Sequence, residues 1–254
     1  MSQFNNLNVL PFYTDLKYQT RNKWYAFGAI WGLASPANSI LPFQLSLPYN
    51  LTSVESFQVK NLDSSTVYSP SAKPSINNSK FSTRGYSIVK LVETAFDGSY
   101  KLPVGTYYIE MKLKDSGDTT YTYYSEVFTV VNNISDFLKI QYWNEDNMYY
   151  SSGEINYEDN FKFTMYLCAT IGKPEYEFEE ELTKRGGYPF LESQISSKLY
   201  KFVFIAPEFI CDAMRLIRMS DYIRISSNGL DYNALTFSYE PSWEEQGDLA
   251  SVQA

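Results

Sequence analysis

Between Thr106 and Leu113 the side chains alternate: Tyr107, Ile109, Met111 and Leu113 on one side, Tyr108, Glu110 and Lys112 on the other. This period of two is the signature of a half-buried strand. The turn formers Asp115-Ser116-Gly117-Asp118 follow it, then a returning strand, Tyr121 to Val131, rich in Thr, Tyr, Val and Phe. Upstream, Ile40 to Leu47, Phe57 to Lys60 and Tyr86 to Glu93 read as further short strands, with a turn at Asp97-Gly98. Leu102-Pro103-Val104-Gly105-Thr106-Tyr107-Tyr108 has the form of the corner entering a late strand of an immunoglobulin-like sandwich. Short strands and frequent turns from about 22 to 131 therefore predict an antiparallel β-sandwich.

The strand pattern stops at Val131-Asn132-Asn133-Ile134-Ser135-Asp136, so residues 132–136 are the predicted linker. A second β-rich unit, 137–254, begins at Phe137-Leu138-Lys139-Ile140-Gln141-Tyr142-Trp143. It holds one predicted helix, about 207–219, with Pro207 at its first position, Glu208 at the positive end, and Arg215 and Arg218 at the negative end. Phe209, Ile210, Ala213, Met214, Leu216 and Ile217 form its apolar stripe, expected to lie on a sheet made from Lys198–Ile205 and Tyr222–Ile225. The predicted fold class is thus mainly β, with two tandem sandwich-like domains preceded by an arm, residues 1–21. That arm carries Phe4, Leu7, Val9, Leu10, Phe12 and Tyr13 without any period, so it docks on its own domain or on a neighbour.

Composition narrows the chemistry. The 254 residues include 23 Tyr and 17 Phe but no His, which removes the commonest general base and the imidazole metal ligand. Two cysteines cannot build a disulfide framework or a four-thiolate zinc site. Cys168 and Cys211 both sit among apolar neighbours and read as buried free thiols; a bridge requires their segments to meet. A formal net charge of −8 argues against a phosphate backbone as partner. The N-terminus lacks the basic and apolar regions of a signal peptide. The uncharged stretch from Trp24 to Val54 is broken by Gly28, Gly32, Pro36, Pro42 and Pro48, so it is not read as a membrane span. The expectation is a protein made and kept in a cytoplasm, binding neither nucleic acid nor membrane.

Three other features could carry function. Glu175, Glu177 and Glu179 alternate with Tyr176, Phe178 and Glu180, placing three carboxylates on one strand face. Calcium loops add Asp or Asn and Gly at tight spacing, which is missing, so a solvated or partner-facing edge is the reading. Thr183-Lys184-Arg185-Gly186-Gly187-Tyr188 lacks the phosphate-loop pattern and reads as a β-turn carrying cations. Neither a Gly-x-Ser-x-Gly elbow nor a dinucleotide-binding glycine pattern occurs. Trp24, Tyr25, Phe27 and Trp31 in the uncharged stretch, with Phe4, Leu7, Val9, Leu10, Phe12 and Tyr13 of the arm, form the candidate assembly interface.

Several strings then occur in order: Ile40-Leu41-Pro42-Phe43-Gln44, Tyr123-Tyr124-Ser125-Glu126-Val127-Phe128 and Leu138-Lys139-Ile140-Gln141-Tyr142-Trp143. Gly172-Lys173-Pro174-Glu175-Tyr176, Ala206-Pro207-Glu208-Phe209-Ile210-Cys211-Asp212 and Trp243-Glu244-Glu245-Gln246-Gly247-Asp248-Leu249-Ala250 follow. As a set, from about residue 25 onward, they resemble a family of virion structural proteins of crAss-like phages and Bacteroidetes prophages. The resemblance implies a tail, neck or ring component, localised to the virion after assembly in the host bacterial cytoplasm. It also implies no enzymatic activity and no cofactor, and partners that are copies of itself and other virion proteins. In that family's pattern an acidic, valine-rich strand follows the position of Ala254. Here Ser251-Val252-Gln253-Ala254 looks like mid-strand, so that strand is missing or a neighbouring subunit completes the sheet. The alternatives are a carbohydrate-binding module of a phage tip or bacterial surface, which needs exposed coplanar aromatics, and a glycan-cleaving enzyme, which needs two converging carboxylates.

Overall fold

The computed structural model describes residues 9–19, 33–36, 39–47, 50–70, 73–77, 87–91, 94–95, 101–143, 161–243 and 249–254. In the first half the strands are Phe12–Tyr13 (β1), Leu33–Pro36 (β2), Ser39–Ile40 (β3), Phe43–Leu47 (β4), Leu51–Asn61 (β5) and Thr66–Tyr68 (β6). Ser75–Asn77 (β7), Ser87–Leu91 (β8), Thr94–Ala95 (β9), Gly105–Asp115 (β10), Thr120–Ser125 (β11) and Phe128–Val131 (β12) complete it.

The alternating segment read from the sequence is β10, and it is the spine of a seven-stranded sheet. Along one flank it pairs with β5; along the other it pairs with β11 over Glu110–Lys114 and with β12 over Gly105–Tyr107. The expected single returning strand is therefore interrupted at Glu126 and Val127. Two N-terminal strands line the outer edge of this broken strand, β1 antiparallel to β11 and β2 parallel to β12. A second sheet, β4-β8-β7, supplies the facing layer. Phe43 of β4 meets Phe12 and Phe57 of the first sheet, with ring centroids 4.7 and 6.2 Å apart. Tyr107, Ile109, Met111 and Leu113 are all buried, as the alternation requires. Tyr108, on the expected solvent side, is buried too. Its hydroxyl donates to Ser64 Oγ at 3.2 Å, because the turn after β5 folds over it.

At the entry to β10, the Tyr107 hydroxyl donates to the Pro103 carbonyl at 2.9 Å and pins the corner four residues upstream. Replacing Tyr107 with Phe removes this hydrogen bond while keeping the ring. The expected cost is about 1 kcal/mol, read as a lowered denaturation midpoint with an unchanged m-value.

The second half comprises Leu138–Trp143 (β13), Phe163–Leu167 (β14), Glu175–Arg185 (β15), Tyr188–Leu199 (β16), Val203–Pro207 (β17) and the helix Glu208–Arg218 (α1). Tyr222–Ser227 (β18), Leu230–Ala234 (β19), Glu240–Trp243 (β20) and Leu249–Gln253 (β21) follow. The helix begins one residue later than expected, with Pro207 as its N-cap rather than its first turn. Ile210, Cys211, Ala213, Met214, Leu216 and Ile217 are buried, while Phe209 is only partly so.

The expected sheet beneath the helix is not formed. β17 pairs with β21, whereas β18 belongs to a separate four-stranded sheet, β14-β13-β18-β19. The helix packs on β17 and β21. Side-chain periodicity identifies strands but carries no information on which distant strand closes the ladder, and β21 joins from about 45 residues away. β21 has partners on both sides, β17 and β20, so its own edges are filled within the chain.

Buried side chains of both halves join in one cluster. β2, paired with β12, also touches β14. The turn over residues 132–136 thus connects two β-rich parts whose interiors are continuous.

Candidate assembly surface

Among the described residues, β15 and β16 form a two-stranded ribbon of their own, hydrogen-bonded to no other described strand. Eleven paired positions run from Glu175↔Leu199 to Arg185↔Tyr188, about 35 Å at the usual strand rise. The two-residue turn is Gly186-Gly187, with φ of 61° and 87°. Positive φ at both central positions is the mirror-image turn that matches strand twist, and glycine reaches it without strain. The basic turn read from the sequence is thus the tip of a hairpin.

Nearly every residue of this hairpin is solvent-exposed. Tyr176 is 60% exposed, Phe178 64%, Leu182 59% and Tyr188 79%. Phe190, Leu191 and Ile195 are exposed as well. On one face Tyr176, Phe178 and Leu182 stand in line. On the other stand Glu175, Glu177, Glu179 and Glu181, the row expected from the alternation, now extended by one carboxylate. Across the strands, Ile195 lies opposite Glu179, Phe190 opposite Thr183, and Tyr188 opposite Arg185. The Arg185 guanidinium sits 4.7 Å from the Phe190 ring centre, so the tip presents a cation and aromatic rings together. At the base, Gly172 N–H donates to the Lys201 carbonyl at 2.8 Å, and the Lys201 ammonium reaches Glu175 Oε2 at 2.6 Å. The ion pair is exposed and adds little stability. The backbone bond keeps the two ends of the hairpin together.

A second surface of opposite character lies on the four-stranded sheet. The register puts Trp143 and Tyr222 in one cross-strand row on its outer face, and Lys162, just before β14, reaches over the Trp143 ring. Gln141, Arg224 and Asn233 form the next row, and Lys139, Ser226 and Asp231 the third. Ile140, Tyr142, Ile223 and Ile225 point the other way, into the core. Trp143 and Tyr222 stack at 5.3 Å and 9°, and the Lys162 ammonium stands 4.6 Å from the Trp143 ring centre. These ring faces are engaged by neighbours in the chain, which is not the open aromatic platform that sugar stacking uses.

The arm residues of the expected interface are placed elsewhere. Val9, Leu10 and Phe12 are buried in the first core, so none has area left for a partner. β1 extends the first sheet, and Glu126 N–H donates to the Pro11 carbonyl at 2.7 Å where β11 breaks from β12. The Tyr13 hydroxyl donates to Glu126 Oε2 at 3.1 Å. Burial, with the carboxylates of Glu126, Glu208 and Asp212 nearby, pushes this phenol well above its ordinary range. Those last two residues belong to α1, so the arm lies close to the helix. Of the two dockings left open for the arm, residues 9–19 adopt the one on their own chain. Phe4, Leu7, Trp24, Tyr25, Phe27 and Trp31 lie outside the described residues.

The cysteines also divide. Both thiols are free, but Cys168 is exposed where Cys211 is buried. The expectation of burial fails at Cys168 because the chain leaves β14 there, turning at once with Ala169 N–H on the Leu167 carbonyl at 2.8 Å. Burial pushes the Cys211 thiol up to about 11. Since the thiolate is the reactive form, iodoacetamide at pH 8 is expected to alkylate Cys168 alone, with Cys211 modified only after denaturant is added. Peptide mass spectrometry of the two states checks this.

Among the described residues no group of three or more His, Cys, Asp or Glu is arranged to hold a metal ion. No helix there is long and apolar enough to cross a membrane. Comparison of the chain with protein-family models, with curated proteins and with solved structures finds no match.

The sequence shows the acidic row and the basic turn as separate features, and the structure joins them into one hairpin. The joining signal is present: strand alternation runs into Gly186-Gly187 and resumes from Tyr188, the spacing of a two-residue turn. The basic outer face was missed, since it draws on strands from 139 to 233 that only the register brings together.

Proposed function

We propose that this chain is a non-enzymatic structural component of a phage virion, a ring or collar protein of the tail or neck region. It assembles with copies of itself and with other virion proteins after synthesis in the host bacterial cytoplasm. The observation that carries the reading is the β15–β16 hairpin. A lone two-stranded ribbon is marginal in water, and one that holds seven large apolar side chains in solvent gains stability when a partner covers it. The ordered strings that resemble crAss-like phage virion proteins supply the setting.

In the first part, β4-β8-β7 facing β6-β5-β10 with β11 and β12, with β2 parallel to β12, supports reading this part as an immunoglobulin-like sandwich. The Tyr107–Pro103 bond matches the tyrosine corner of such domains. We accordingly read residues 22–131, with the arm docked on them through β1, as the first unit, 132–136 as the joint and 137–254 as the second unit. Rigid β units with a projecting ribbon suit repeated subunits, because β-addition gives both affinity and register.

Mass spectrometry of purified particles, with gold-labelled antibody against the chain, tests this assignment. The expected result is a stoichiometric particle protein with label at the tail or neck. Its absence from particles overturns the assignment.

A further inference from the structure

Resting on that reading, we propose that the glutamate face of the β15–β16 hairpin docks on the outer face of the β13-β18-β19 sheet of a second copy of this chain. The first argument is charge. The hairpin holds Glu175, Glu177, Glu179, Glu180, Glu181 and Glu192 against Lys184, Arg185 and Lys198, six carboxylates against three cations. Among the described residues the sheet face holds Lys139, Lys162 and Arg224 against Asp231, three cations against one carboxylate. In a chain of formal net charge −8, a face with an excess of cations stands out as the complement to an acidic ribbon.

Apolar groups agree with the charges. The glutamate face also carries Ile195, Phe190 and Tyr188, and the sheet face carries the stacked Trp143 and Tyr222, with fully exposed Leu235 just past β19. On the docking face Tyr188, Phe190 and Ile195 are each at least half exposed, apolar area that a partner can cover. The two surfaces do not satisfy each other within one chain, because the hairpin, Arg224 and Tyr222 are all exposed. The contact is therefore between molecules. It joins two different patches, so each copy offers one hairpin and one sheet face, the head-to-tail geometry that builds a ring when the rotation between copies closes.

The test is a pair of charge reversals read by light scattering as absolute mass against concentration. One variant carries Glu177→Lys with Glu179→Lys; the other carries Lys162→Glu with Arg224→Glu. All four positions are exposed, so folding is expected to survive, which circular dichroism checks. Each variant alone is expected to weaken association about tenfold or more. An equimolar mixture of the two is expected to recover the wild-type mass, since reversed hairpin meets reversed face and native hairpin meets native face. A third variant, Phe178→Ser with Leu182→Ser, alters the opposite hairpin face. If this third variant dissociates the assembly while both reversals leave it intact, the hairpin docks by its other face and the inference falls, while the assembly reading stands. If the mixture does not recover, the pairing of these two surfaces is wrong. A wild-type chain that stays a single protomer up to its solubility limit ends both.

Discussion

Replacing Phe12 with Ala is expected to destabilise the isolated chain by about 3–5 kcal/mol, the range for a large aromatic removed from a packed interior. The Phe12 ring is buried and lies 4.7 Å from Phe43 of the opposite sheet, so truncation opens a cavity at the junction of both layers. The backbone around it is already committed: β1 pairs with β11, and Glu126 N–H holds the Pro11 carbonyl. Collapse into the cavity therefore costs those bonds, which places the effect toward the upper end. Such a loss is a large fraction of a domain's net stability. Urea denaturation of wild type and variant at low protein concentration measures it. Unchanged stability accompanied by lost association returns the arm to the subunit interface, against the placement seen here.

The opposite signature is expected for the hairpin. Excising residues 176–198 and closing the chain with a short glycine-serine link removes a ribbon that contributes almost nothing to the core. The ends are already together, since Gly172 N–H and the Lys201 carbonyl are 2.8 Å apart, so the closure demands no rearrangement of β14 or β17. The denaturation midpoint is expected to stay within the small range typical of surface changes, while association is abolished. Taken together, Phe12→Ala loses fold and the excision loses assembly, two effects that separate the interior from the contact surface.

How much of this was readable in the chain depends on the range of the interaction. Local periodicity gave β10, the tip at Gly186-Gly187 and the helix to within a residue, because each is fixed by side chains a few positions apart. Tyr108 was misread as a solvent-side residue because what buries it, the turn around Ser64, comes from about 44 positions earlier. Cys168 was misread for the converse reason: its neighbours in sequence are apolar, yet the strand ends at Leu167 and the next residue faces water. The arm shows the same limit. Aromatics without a period do not reveal which surface they meet, and only the pairing Phe12↔Ser125 settles it. The acidic row was legible as a face but not as half of a two-stranded ribbon, since which strand closes the ladder, Tyr188–Leu199, is set by pairing across the turn. The basic sheet face had no local trace, because Lys139 and Arg224 share a surface only through strand register and Lys162 joins it over the Trp143 ring.

The central claim is that the hairpin is covered when the chain assembles. Hydrogen–deuterium exchange of the wild-type chain, at dilute and at assembling concentrations, tests it most directly. The account predicts that amides of residues 175–199 exchange rapidly when dilute and become protected as the mass rises, with those of β18 and β19 slowing in parallel. Assembly with unchanged, rapid exchange across 175–199 contradicts it.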